Sequence, residues 1–303
     1  TNNIKKYHNS IILLKPVDVF IIGAQKCGTT SLLRYLSEHP NILGHIQPEM
    51  TYFSRDSEYN KGYDRAWRRY YKSVNQSQSI VVAKNAHMYR NLKAIRRLKI
   101  HNPNCKIVFI IRNPVERAYS SYLMEKTSWG EEFSFDEIVD KFLENNSNWR
   151  HDVYFKLGIY HTYLEEIIKY FQINLIVLKL SELRDYPRET IRRIYLELKV
   201  SDQLLPDYNK KYNVTKKVKS KWFATKTSKI LNEQNKIKKL IKSLFPVSTT
   251  NLMGNILRSI NKSEKNYNPM SIQARKILTE FYKPHNDKLS SLLNDNFTNW
   301  NKI

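Results

Sequence analysis

Three shortages bound this chain. Glycine comes first, with 7 residues in 303 and no internal repeat. The few glycines present therefore point to places where a side chain would not fit. Cysteine is next: Cys27 and Cys105 are the only two, too few for a disulfide framework. They read as buried free thiols, and no His/Cys cluster has metal-ligand spacing. The third shortage is acidic charge, 28 Asp+Glu against 51 Lys+Arg, for a formal net charge of +23. Part of that excess reflects a Lys-, Asn- and Ile-rich composition, and the rest favours anionic partners. No apolar run approaches the ~18 residues that a membrane span needs.

Strands and helices alternate along the first two-thirds. Apolar, β-branched runs at 17–22, 80–84, 106–111 and 174–178 predict strands. Amphipathic stretches at 29–38, 89–100, 115–125, 134–143, 158–170 and 188–198 predict helices. That alternation implies an α/β fold: a central, mainly parallel sheet with helices on both faces. After Val200 the chain turns polar, with 12 lysines against one acidic residue, Glu233, from Lys210 to Lys242. Helices are expected near 222–242 and 271–293. The whole reads as one domain over 1–303, with a core at 17–200 and a basic, helical part at 201–303 packing on it.

Two segments carry chemistry. In VDVFIIGAQKCGTTS (17–31) a buried strand ends at Gly23, turns through Gly28 and enters a helix at Thr29. Such a turn offers backbone N–H groups and a helix N-terminus to an anion. The glycine spacing is that of a Walker A loop, but Thr29 stands in place of the lysine that grips a γ-phosphate. Lys26 is the only lysine in the loop, which suits a single phosphate-like group and argues against a nucleotide kinase. Further on, the strand CKIVFII (105–111) runs into Arg112-Asn113-Pro114 and a helix bearing Ser120. Ligands of open α/β sheets bind at the carboxyl ends of strands, where an arginine and a hydroxyl grip a second phosphate.

Together these segments resemble the sulfotransferases that use 3′-phosphoadenosine 5′-phosphosulfate (PAPS). The likeness extends through QPEMTYF (47–53), AKNAHMY (83–89), KLGIYHTYLEEIIKYF (156–171), LIVLKLSELRDYPRETIRRIYLEL (175–198) and LTEFYKPHNDKLSSLL (278–293). It implies a P-loop-like fold, PAPS as sulfuryl donor, adenosine 3′,5′-bisphosphate (PAP) as product, and no metal. Lys26, Cys27, Gly28, Thr29, Thr30 and Ser31 would hold the 5′-phosphosulfate, and Arg112 and Ser120 the 3′-phosphate. A late basic loop of the family, here NVTKKVKSKW, implies Lys217 and Lys221 as further 3′-phosphate contacts, although this chain has only lysines there.

Sulfuryl transfer needs a base near the acceptor and positive charge at the leaving oxygen. Lys26 suits the second role, and Lys84 could neutralise the sulfuryl group or orient the acceptor. Glu49 matches the glutamate base of glycosaminoglycan-type members. His87 is similar to the histidine base of cytosolic small-molecule members but is displaced by one position, so Glu49 is the preferred base.

The implied acceptor is a hydroxyl or amine on a carbohydrate, an anionic glycan included, in preference to a small molecule or lipid. Tyr52, Phe53, Trp129 and Trp149 are either an acceptor platform or ordinary half-buried aromatics, the second reading being favoured. A basic nucleic-acid- or nucleotide-binding protein without transfer is the alternative from another class, but no nucleic-acid module is present. Reduced thiols point to the cytoplasm, with a lumenal form that has lost an N-terminal anchor as the alternative.

Overall fold

The computed structural model describes residues 14–71, 79–128, 131–144, 149–208 and 268–303. Five strands form one sheet: β1 (Val19–Gly23), β2 (Ile42–Gly44), β3 (Ile80–Lys84), β4 (Lys106–Ile111) and β5 (Leu175–Lys179), in the order β2-β3-β1-β4-β5. All four pairings are parallel. The residues of β1 from Val19 to Ile22, and those of β4 from Ile107 to Ile111, are fully buried. Continuous burial explains why both read as unbroken apolar runs. Asp18, just before β1, accepts a hydrogen bond from the Val81 N–H at 2.8 Å, which satisfies a donor at the start of β3.

The helices are α1 (Thr29–Ser37), α2 (Asp56–Tyr59), α3 (Tyr63–Tyr70), α4 (Leu92–His101), α5 (Pro114–Ser128), α6 (Phe135–Leu143), α7 (Trp149–Tyr154), α8 (Tyr160–Phe171), α9 (Leu180–Asp185), α10 (Pro187–Glu197) and α11 (Ile272–Leu293). Local signals fix several starts. Ser134 and Glu137 form a reciprocal capping box on α6, Asn91 caps α4, and Pro187 opens α10. A second core, set apart from the sheet, joins α5, α6, α7 and α11 through Val115, Phe135, Tyr154, Phe155, Leu278 and Tyr282.

The expected strands at 80–84 and 106–111 match β3 and β4 at both ends, and the others agree to within two residues. The helix expected from residue 89 starts at Leu92, after a 3-10 turn at Met88–Arg90. β2, α2, α3, α7 and α9 were not anticipated. β2 spans three residues, too few to show an alternation, and α3 spans only eight, barely two turns in which to establish a helical period. The helix expected near 222–242 lies outside the described residues. No helix among the described residues is long and apolar enough to cross a membrane.

The chain visits β1, then β2 and β3 on one side, then β4 and β5 on the other. Strand order therefore reverses at β1, and the loops leaving β1, β3 and β4 open on a common crevice, the usual ligand position in such sheets.

Candidate active site

The crevice at the carboxyl ends of β1, β3 and β4 is a cleft of about 480 Å³. Gln25, Lys26, Gly28, Thr29, Thr30 and Ser31 line it from the first loop, Glu49 and Ala86 from beside β3, and Arg112, Glu116, Tyr119 and Ser120 from α5 and its approach. Residues far apart in sequence thus share one wall.

The first loop depends on its glycines. Gly28 has φ +84°, and a Cβ there would lie 2.7 Å from Leu180 Cδ1. At Gly23 a Cβ would lie 2.5 Å from the Tyr89 ring. Gly28 is also the N-cap of α1 and brings no side-chain cap. The first N–H groups of α1 therefore have no intrahelical or capping acceptor and face the cleft with the positive end of the helix dipole. Lys26 adopts φ +69°, a left-handed conformation uncommon for a side-chain-bearing residue. Burial, and then the neighbouring Arg112, lower its pKa to about 8. Placing two cations together is costly without an anion between them, so the arrangement suits a bound anion.

Cys27 departs from its expected role. Its side chain is fully buried, its Sγ lies 3.7 Å from both the Gln25 carbonyl and the Tyr160 hydroxyl, and its N–H donates to the Ala24 carbonyl at 3.1 Å. Burial pushes its thiol pKa up. Cys27 shapes the turn from beneath, with its polar groups already engaged. Cys105 is a buried free thiol as well.

Arg112 follows β4 and points back at the loop, with Nη1 3.4 Å from the Lys26 carbonyl and Nη2 3.7 Å from Glu116 Oε2. Its own carbonyl accepts from the Tyr160 hydroxyl at 2.9 Å. Ser120, on α5, lines the same cleft.

The Glu49 side is assembled differently. Glu49 Oε1 lies 2.6 Å from Lys84 Nζ, and Oε2 accepts the Ala86 N–H at 2.9 Å. Lys84 is 2% exposed and Glu49 33%. The lysine ammonium is therefore spent on orienting the carboxylate, and Lys84 does not line the cleft. His45 Nε2 accepts the Lys84 N–H at 3.0 Å, while the Met50 N–H donates to the Lys84 carbonyl at 2.7 Å. Burial and then Lys84 lower the His45 pKa to about 3, which keeps this imidazole neutral and able to accept. His87 stands apart from the cleft lining, its N–H donating to Asn85 Oδ1 at 3.0 Å. Burial and then Arg90 lower its pKa to about 4.

Two residues went unnoticed in the sequence. Arg117 is fully buried beneath the loop, donating to the carbonyls of Val153 at 3.1 Å and of Tyr154. Its charge adds to the positive field at Lys26. An arginine five residues after Arg112 in RNPVERAYSS was the available signal. His45 carried no such signal, because its partner is a backbone N–H 39 residues away. Tyr52 and Phe53 are buried in the main core and form no platform. Trp129, Lys217 and Lys221 lie outside the described residues.

The fold and cleft define an α/β protein with a P-loop-like anion site at the sheet's switch point. The sulfotransferase domain family profile matches residues 16–247, and the chain belongs to that family. It is 28% identical over 287 residues to the bifunctional heparan sulfate N-deacetylase/N-sulfotransferase 3 of Mus musculus, an overlap of 90% of this chain and 29% of that protein. Against the bifunctional heparan sulfate N-deacetylase/N-sulfotransferase 1 of Homo sapiens the identity is 27% over 285 residues, covering 91% of this chain and 29% of the other. The chain therefore spans less than a third of these relatives' length. Among solved structures, a sulfotransferase from Alicyclobacillus acidocaldarius superposes with a TM-score of 0.66 at 22% identity, covering 95% of this chain and all of that one. At that identity the likeness is one of fold.

Proposed function

We propose that the protein transfers a sulfuryl group from PAPS to a hydroxyl or amine of a carbohydrate, with Glu49 as general base. One observation carries this reading: Glu49 shares a single cleft with Lys26, the start of α1, Arg112 and Ser120. The uncapped α1 terminus and Lys26 suit the 5′-phosphosulfate, and Arg112 with Ser120 the 3′-phosphate. The bound donor supplies the sulfuryl group: as the acceptor forms its bond to sulfur, the bond from sulfur to the 5′-phosphate oxygen breaks and that oxygen keeps the electron pair. Glu49 takes the acceptor's proton. A carboxylate has about four lone-pair sites, so the contacts to Lys84 and Ala86 leave capacity for it. Lys26 and the α1 amides face the oxygen on which charge develops.

The names of these relatives, heparan sulfate N-deacetylase/N-sulfotransferases, together with the net charge, support an anionic glycan as acceptor. A small-molecule or lipid acceptor served by His87 is the weaker reading, because His87 does not line the cleft. The test is transfer of labelled sulfuryl from PAPS to an N-desulfated glycan and to its N-acetylated counterpart, using wild type and Glu49→Gln. Labelling by wild type alone, with equal PAP binding by both, is expected. An active Glu49→Gln enzyme would remove Glu49 from the chemistry.

A further inference from the structure

An acidic residue stands where the proposed second phosphate should sit. Glu116 and Ser120 lie one turn apart on α5, Arg112 sits just before its start, and all three line the cleft. A carboxylate between two phosphate contacts repels the phosphate and competes for the Arg112 guanidinium. The geometry shows how this conflict is relieved. Glu116 Oε1 lies 2.6 Å from Arg275 Nη2 on α11, whereas its other oxygen is 3.7 Å from Arg112. The carboxylate is held by the C-terminal helix and only loosely by Arg112.

Arg275 is itself well fixed. Ser271 caps α11, accepting the Ala274 N–H at 3.1 Å, and its hydroxyl donates to Asp136 Oδ1 on α6. Just upstream, the Tyr119 hydroxyl of α5 donates to the Asn268 carbonyl at 2.6 Å. The start of α11 is thereby tied to both α5 and α6, one turn from Arg275.

We infer that Arg275 is a positioning residue for the 3′-phosphate site: it neutralises Glu116 and draws it away from Arg112, leaving that guanidinium available to the phosphate. This inference rests on the reading of Arg112 and Ser120 as the 3′-phosphate contacts. It also makes selection for the bisphosphate over a monophosphate depend on a helix about 155 residues downstream of the motif.

The test measures dissociation constants for PAP and for 5′-AMP by calorimetry on wild type, Arg275→Ala, Glu116→Gln and the double variant. Arg275→Ala should weaken PAP about tenfold, which corresponds to one released ionic contact, with 5′-AMP changed less than about twofold. Adding Glu116→Gln should restore PAP binding to within about threefold of wild type, because the competing charge is gone. Rescue separates a competing carboxylate from mere anchoring of α11, which Glu116→Gln cannot repair. Arg275→Ala with wild-type PAP affinity, or a loss that Glu116→Gln does not relieve, would overturn the inference alone. Wild type that binds PAP no better than 5′-AMP would overturn the underlying phosphate assignment as well.

Discussion

The two halves of the cleft are built in opposite ways. The proposed donor half comes from two contiguous segments, residues 23–31 and 112–120, each a strand end running into a helix. Its geometry follows from the local backbone: glycines, a helix start, and side chains one or two turns apart. In the acceptor half, by contrast, Glu49 and Lys84 come from separate elements and meet at 2.6 Å, with His45 supporting Lys84 from behind. Each donor segment is a local motif and the two meet where β1 pairs with β4, whereas on the acceptor side even the single ion pair is drawn from two separate elements. One consequence is energetic. Changes in the donor half should act mainly on affinity, whereas changes in the acceptor half should act on turnover and on folding together.

The sharpest break in this comparison is Glu49→Gln. Loss of the proposed general base predicts a fall in kcat of about 10²- to 10⁴-fold, while PAP affinity stays within about twofold. The variant should also melt earlier, since it leaves the Lys84 ammonium buried without its counter-ion, a change that costs up to about 3 kcal/mol. Activity and calorimetric melting on one preparation check both statements. Arg112→Ala should do the reverse. Losing a charge-assisted contact of about 1.5–3 kcal/mol predicts roughly 10- to 100-fold weaker PAP binding, with 5′-AMP binding and melting temperature little changed.

A smaller effect comes from pH. Burial and Arg112 hold Lys26 at about 8 in the ligand-free cleft, well below an ordinary lysine. An anion beside it raises that value, so binding takes up a proton once the free site begins to lose one. PAP affinity should be flat from pH 7 to about 8, then fall by at most about tenfold per pH unit above it. Lys26→Met should bind more weakly throughout and show no such fall. Isothermal titrations across that range decide the matter. The smallest expected change is Gly28→Ala. A left-handed φ and contact with Leu180 predict a loss of about 1–2 kcal/mol, read by denaturant titration.

The same contrast explains what could be read from the sequence. β1, β3, β4 and the turn at Gly28 were legible because buried parallel strands write unbroken apolar runs and a glycine-framed turn writes its own spacing. Arg112 and Ser120 are legible from their place at a strand end and on the helix after it, Glu49 only from motif resemblance, and the structure brings all three to one cleft. The role of Lys84 was less accessible: its position at a strand end was legible, but its engagement by Glu49 was not. Cys27 shows the limit of adjacency, because a residue inside the loop can face the core while its neighbours face the cleft. Arg117, His45 and the Glu116–Arg275 pair were missed for one physical reason. Each acts through a partner from a separate element; Arg117 has its place near Arg112 as a local signal, but no spacing encodes the contact that any of them makes.

The cleft is read here as two separate phosphate grips with no γ-phosphate site. Thermal stabilisation by PAP, 5′-AMP and Mg-ATP, compared at equal concentration, tests that reading most directly, because a ligand that binds only the native state raises its melting temperature by mass action. The predicted result is a large shift with PAP, a small one with 5′-AMP and little or none with Mg-ATP. Equal shifts with all three, or none with PAP, would contradict it.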